Sequence, residues 1–277
     1  MNAPISFTHF VYFDTNIYSH LAKNINLWKP LLNFLLQHDL CNSFSSANLS
    51  ELADATSLHD NLTNLLLCMP SVVIKTWDMI LEEEIHSHPI YPHITLLLDP
   101  IIRLAIKENG HEELKSWFKS KELINAREEQ KTYAKQMKII HSGYKENFPP
   151  SSSGKYIRQQ ADEFADFIIL QWLSGTHRQF LGKFKNNATD LNTKVFQSIR
   201  IFGLVNYYKY YLGNRSIKKL SDFGDFAHLC FLPYCDLVII EKDLCNILNQ
   251  IKKNHDILQN TTIKNIDFFN DWQFENS

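Results

Sequence analysis

Four places in this 277-residue chain put a carboxylate where it can do chemistry. Asp14 directly follows the β-type run FTHFVYF, and Glu51 sits in NLSELADA behind the short strand-like CNSFSS. Asp225 opens DFAHLCFL, and Glu241 and Asp243 follow the apolar run CDLVII. Carboxylates gathered at one place repel one another unless a cation lies between them. Oxygen-only ligands suit Mg²⁺ or Mn²⁺, ions that neutralise phosphate and activate water. Taken singly, the acids have a plainer use: Asp225 near one helix start and Asp243 near another satisfy N–H groups and the helix dipole without a metal.

The elements that must position these acids read as α/β. FTHFVYF changes at Asp14-Thr15-Asn16 into a helical pattern, a second helix spans Leu27 to Leu40, and CNSFSS is the second strand. Ser45, Ser46 or Asn48 caps the helix carrying Glu51; a further helix follows, then the strand SVVIK. From 77 to 220 almost no β-type run is present, and helices are expected over Trp77 to His86, Ile94 to Glu108, His111 to His141, Ile157 to Leu173 and Leu191 to Leu212. After that, a helix, the strand CDLVII, a helix and a last strand TTIKNI resume the α/β pattern. The expected organisation is a parallel-sheet, three-layer α/β core in two parts, 1–76 and 221–277, split by an all-helical insertion over 77–220. In an open α/β sheet the carboxyl ends of the strands share one edge, where ligands bind, so the four acids are expected to meet there.

Taken in order, VYFDTNIY, SSANLSEL and GDFAHLCFLPYCDLVIIEKDL resemble the motifs of the PIN-domain nucleases, over about 70 residues at the start of the chain and about 50 at the end. The resemblance implies Asp14, Glu51 and Asp225 as the first three ligands of Mg²⁺ or Mn²⁺. Family members often place Thr or Ser and then Asp at the last strand end, where this chain has Ile239-Ile240-Glu241-Lys242-Asp243. Aligning Leu244 with the hydrophobic residue that usually follows favours Glu241 over Asp243 as the fourth acid. Asn16 suits orientation of a ligand better than ligation, and His228, one helical turn beyond Asp225, is placed to reach the same site. The implied activity is metal-dependent hydrolysis of phosphodiester bonds in single-stranded RNA, leaving 5′-phosphate and 3′-hydroxyl ends. The missing hydroxyl before Glu241 motivates a second expectation, a degenerate PIN fold that binds nucleic acid or assembles without cleaving. A DNA-directed flap or defence nuclease with the same chemistry is a third.

Composition narrows the surroundings of this site. The formal charge of −2 averages two opposites: Thr176 to Leu220 holds nine Lys and Arg against one acid, Asp190, so it carries +8 and the remainder −10. Arg178, Lys183, Lys185, Arg200, Lys209 and Arg215, interleaved with Phe180, Phe184, Tyr207, Tyr208, Tyr210 and Tyr211, read as a path that holds phosphates and stacks unpaired bases. Expected partners are single-stranded RNA and, as protein partners, an antitoxin-like inhibitor or a second copy of the chain. The histidines of EEEIHSHPIYPH (His86, His88, His93) lack H-E-x-x-H spacing and a cysteine partner, which argues against zinc. No Gly-rich phosphate loop, nucleophile elbow or dinucleotide fingerprint is present. Five cysteines without a C-x-x-C pair, no signal-peptide pattern and no apolar run of membrane-spanning length lead to the expectation of a cytoplasmic protein with reduced thiols and no membrane contact.

Overall fold

The computed structural model describes residues 9–269 apart from 102–103, 105–106, 126, 129–130, 133–134, 136–142, 145–146, 188–189 and 214–224; at Pro100, Asp225 and Phe226 only the backbone is described. Its centre is a six-stranded sheet ordered β4-β3-β2-β1-β5-β6, formed by β1 His9–Phe13, β2 Leu40–Phe44, β3 Ser71–Ile74, β4 Leu97–Pro100, β5 Leu237–Ile240 and β6 Thr262–Asn265. All pairings are parallel except β3 with β4. A parallel strand is covered on both faces, so its side chains are buried on both. In β1, Phe10 and Tyr12 enter one buried cluster while Val11 and Phe13 enter the other, and in β5 Val238 and Ile240 separate from Leu237 and Ile239 in the same way. Period-two alternation has therefore built two cores, one on each face of the sheet.

On the Val11–Phe13 face lie α1 Thr15–Lys23, α2 Trp28–Gln37, α3 Ser46–Leu52, α4 His59–Cys68 and α6 Gly110–Trp117. The opposite face carries α5 Trp77–Ser87, α7 Ala161–Thr176, α8 Arg178–Gly182 and α9 Gln197–Asn206, which continues as a π-helical turn over Tyr207–Leu212. It also carries the 3₁₀ segment Asp225–Tyr234 and α10 Lys242–Asn254. The result is a helix–sheet–helix α/β arrangement.

Two features differ from the sequence-based expectation. Within the expected helix Ile94 to Glu108, Leu97–Pro100 is instead an antiparallel edge strand, with Leu97 opposite Ile74 and Asp99 opposite Val73. The leucine run read as helical by composition, but Pro100 cannot extend a helix and is tolerated at a sheet edge. The stretch 77–220 is thus not all-helical. Its helices are also not peripheral, because α7 and α9 share one buried cluster with Phe10 and Tyr12 and form a layer of the core itself.

A close approach of two helices in that layer is at Gly203 of α9, where an added Cβ would lie 2.9 Å from the Cα of Ala165 on α7. Alanine is the better helix former by about 1 kcal/mol, but here backbone would have to move to admit it. Gly203→Ala is expected to destabilise the fold by about 1–3 kcal/mol, read as a lower urea midpoint; a raised midpoint would show that the two helices have slack.

Candidate active site at the carboxyl edge of the sheet

The chain runs outward from β1 to β2 and β3, then returns to place β5 on the other side of β1, so the winding reverses between β1 and β5. A crevice forms at such a reversal, outside the carboxyl ends of the two strands. Asp14 ends β1 and Glu241 ends β5. Asp14 is the N-cap of α1: one carboxylate oxygen accepts from the backbone N–H of Asn16 at 2.6 Å and of Ile17 at 3.3 Å. The other accepts from the backbone N–H of Glu241 at 3.2 Å, joining the two strand ends across the crevice. The side chain is held by three donors and is 9% exposed.

Glu51 comes to this place through the cap of its helix. Ser45 caps α3 in a reciprocal box with Asn48, and the Asn48 amide donates to the carbonyl of Phe13 at 3.1 Å, fastening α3 to the end of β1. Glu51, near the far end of α3, then faces His228, whose Nε2 lies 3.3 Å from its carboxylate. A cavity of about 40 Å³ is lined by Asp14, Thr15, Asn16, Glu51, His228, Leu232, Ile240, Glu241 and Leu244. It has room for about one water-sized particle. The carboxylates on its wall offer only oxygen, the donor type that suits a hard divalent cation.

A buried chain of hydrogen bonds behind His228 has a fixed direction. Because the Asn48 NH₂ is spent on Phe13, its Oδ1 faces Ser45 and accepts from both the backbone N–H (3.0 Å) and the hydroxyl (2.9 Å) of that residue. With the Ser45 hydrogen used, the Tyr12 hydroxyl must donate to Ser45 Oγ at 2.9 Å, and so accepts from His228 Nδ1–H at 2.6 Å. His228 Nε2 is left facing Glu51. Burial by itself would push the Glu51 carboxyl up, but the hydrogen bond and charge of His228, with the Arg127 guanidinium, hold it down at about 2. Glu51 is therefore ionised at neutral pH.

Removing the Tyr12 hydroxyl would leave the buried His228 Nδ1–H without its acceptor and take one of two donors from Ser45 Oγ, which keeps the Asn48 backbone N–H. Tyr12→Phe is expected to cost about 1–3 kcal/mol in urea unfolding. An unchanged midpoint would mean that the chain of bonds carries no weight.

The predicted residues are distributed as follows. Asp14, Glu51, His228, Glu241 and the exposed Asn16 line the one cavity. Asp243 lies in the first turn of α10 and is not among the lining residues. Asp225 opens its 3₁₀ segment as a backbone position, and its side chain lies outside the described residues. Among the described residues no group of three or more His, Cys, Asp or Glu side chains is arranged to hold a metal ion.

The basic path is partly corrected. Arg200 is 3% exposed and bonded to Asp162 and, at 2.8 Å, to Asp166, so it ties α9 to α7 and has no face for a phosphate. Tyr207, Tyr208, Tyr210 and Tyr211 are buried core residues: Tyr207 and Tyr211 pack against Tyr156 and Phe164, and the Tyr208 hydroxyl meets His255. Lys209 lies beside the Tyr210 ring at 5.7 Å. Arg178, Lys183 and Lys185 are exposed, and Arg215 lies outside the described residues.

Sequence reasoning passed over Tyr12, Ser45 and Asn48 as a unit. Ser45, Ser46 and Asn48 stand as alternative caps, with no sign that Ser45 and Asn48 act together, and nothing near Tyr12 in sequence announces a partner 216 residues away. The five cysteines are free thiols, four buried and Cys68 exposed, and among the described residues no helix is long and apolar enough to cross a membrane. No family model, curated protein or solved structure matches the chain.

Proposed function

We propose that the chain is a PIN-like, metal-dependent nuclease that hydrolyses phosphodiester bonds in single-stranded RNA. The observation that carries this reading is that Asp14, Glu51, His228 and Glu241, from four separate segments, line one small cavity at the reversal of the sheet. Asp14, Glu51 and Glu241, with Asp225, are the residues that would hold Mg²⁺ or Mn²⁺. When bound, such an ion neutralises phosphate charge and makes a bound water nucleophilic near neutral pH.

The chain's own groups set the rest. Three backbone N–H donors fix the Asp14 carboxylate in one orientation, so no side-chain reorganisation precedes binding. His228, held in place by its Nδ1–H bond to Tyr12, presents Nε2 to Glu51 and lies within the same cavity wall. Leu232, Ile240 and Leu244 form an apolar side of the cavity that restricts water.

The test is incubation of end-labelled single-stranded RNA and DNA with the protein and Mg²⁺ or Mn²⁺, followed by end-group analysis. RNA products carrying 5′-phosphate are expected; DNA cleaved in preference would move the assignment to a DNA-directed nuclease, and no cleavage of either would defeat it. A second reading, a binding module that does not cleave, draws on the fact that Asp14 has a capping role and Glu51 a His228 partner without any cation. RNA affinity unchanged when Asp14, Glu51, Asp225 and Glu241 are all made amides, together with no cleavage, would favour it.

A further inference from the structure

A cavity beside the histidine-rich motif lies apart from the carboxylate residues just described and shares no lining residue with them. It measures about 720 Å³ and is lined by Ile85, His86 and His88 from the end of α5 and beyond, and by Gly175 to Phe180, Lys183 and Phe184 from the α7–α8 turn. That volume falls among small-molecule sites.

The histidines here are not arranged for a metal. The backbone N–H of Asn192 donates to His88 Nε2 at 2.9 Å, which requires a lone pair there and leaves the hydrogen on Nδ1. His86 directs Nδ1 at the carbonyl of Glu82 (2.6 Å), and His177 directs Nε2 at the Glu82 carboxylate (3.0 Å). Burial also pushes the His88 imidazole down, in keeping with a neutral ring.

What the cavity does offer is cation and aromatic surface together. Arg178 and Lys183 are exposed, and among the described residues neither has a carboxylate partner. Arg178 spends Nε on the Ser174 carbonyl, which orients the guanidinium. The His88 ring is stacked on Phe196 and meets Phe180 and Phe184 edge-on at 5.4 and 5.1 Å, so the aromatic wall is fixed by packing. A guanidinium and an ammonium recognise phosphate, and an aromatic wall recognises a flat ring.

We propose that this cavity binds a nucleoside 5′-phosphate, free or as the end of a strand, with Arg178 and Lys183 on the phosphate and the His88–Phe184 wall against the base. The site uses none of the acids at the carboxyl edge, so Asp14→Asn is expected to leave it intact, and its failure would leave the cleavage reading standing.

Calorimetric titration with AMP, adenosine and inorganic phosphate tests it on the full chain. AMP is expected to bind at least about tenfold more tightly than either fragment. The exposed pair Arg178→Ala/Lys183→Ala should weaken AMP by at least about tenfold. Gly175→Leu is an uncharged control for the location, because a Cβ at Gly175 enters open space and the added bulk then obstructs the cavity without crowding the core. Competition between AMP and a 5′-phosphorylated oligonucleotide distinguishes a free nucleotide from a strand end, and either winner supports the site. AMP binding no tighter than phosphate, or binding indifferent to both variants, would overturn it.

Discussion

Asp14→Asn is expected to keep the fold and lose metal-dependent cleavage by at least on the order of 10²–10³. The two jobs of Asp14 can be separated because asparagine is as good an N-cap as aspartate. Its amide oxygen can accept from Asn16 and Ile17 as the carboxylate does, while its NH₂ would face the Glu241 N–H that the carboxylate accepts. The loss of that one hydrogen bond costs about 1 kcal/mol. Asp14→Ala removes the cap as well, for a further loss of about 1–2 kcal/mol. Measured side by side, the asparagine variant should unfold near the wild-type urea midpoint yet be inactive, and the alanine variant should be both inactive and less stable. A cleaving Asp14→Asn would remove Asp14 from the chemistry and leave it a cap.

The largest stability effect is expected at Glu84, which the sequence presents as one of three consecutive glutamates. On α5 it is fully buried, and its carboxyl group accepts from the Ser198 backbone N–H and hydroxyl, both at 2.7 Å, and contacts the Tyr234 hydroxyl. It thereby joins α5 to α9 and to the segment leading into β5. Glu84→Ala would strand these buried groups and open a cavity, a loss of about 3–5 kcal/mol.

Glu84 also sets a pH dependence of definite sign. Burial raises its carboxyl from the ordinary 4.5 to about 7 despite those donors. The folded chain therefore holds the proton more tightly than the unfolded one. The associated stabilisation is complete below about 4.5 and is lost as pH rises through about 7, a change on the order of 3 kcal/mol. Glu51 acts in the opposite sense and in another window: its stabilisation is present above 4.5 and is lost as pH falls toward 2. Unfolding free energy measured from pH 4.5 to 8 should fall in the wild type and be flatter in Glu84→Gln. Parallel profiles would show that Glu84 does not titrate in this range.

Local signals identified the strand ends well. β1 and β5 stand out because both are apolar runs closed by an acid, and the start of α3 is legible because a cluster of cap formers, Ser45, Ser46 and Asn48, opens it, of which the structure uses Ser45. What escaped was set by distant partners. Leu97–Pro100 is a strand only because β3 offers it an edge. Arg200 looked like a phosphate ligand because Asp162 and Asp166, which neutralise it, lie more than 30 positions earlier. The tyrosines of 207–211 combine with lysine in a pattern that a nucleic-acid surface and a core helix share, and only the packing of that turn against α7 and Tyr156 decides between them. Tyr12 and Glu84 are of the same kind, since each acquires its role from a partner more than 100 residues away.

The central claim, that the carboxylates at the β1–β5 crevice hold a divalent cation, is tested most directly by Mn²⁺ titration followed by electron paramagnetic resonance. The wild-type chain is predicted to remove free Mn²⁺ signal at a saturable site, and Asp14→Asn combined with Glu51→Gln is predicted to abolish that site while still unfolding in one cooperative urea transition, at a lower midpoint because the Glu51–His228 pair is lost. Saturable Mn²⁺ binding that persists in the double variant, or its absence from the wild type, would contradict the claim.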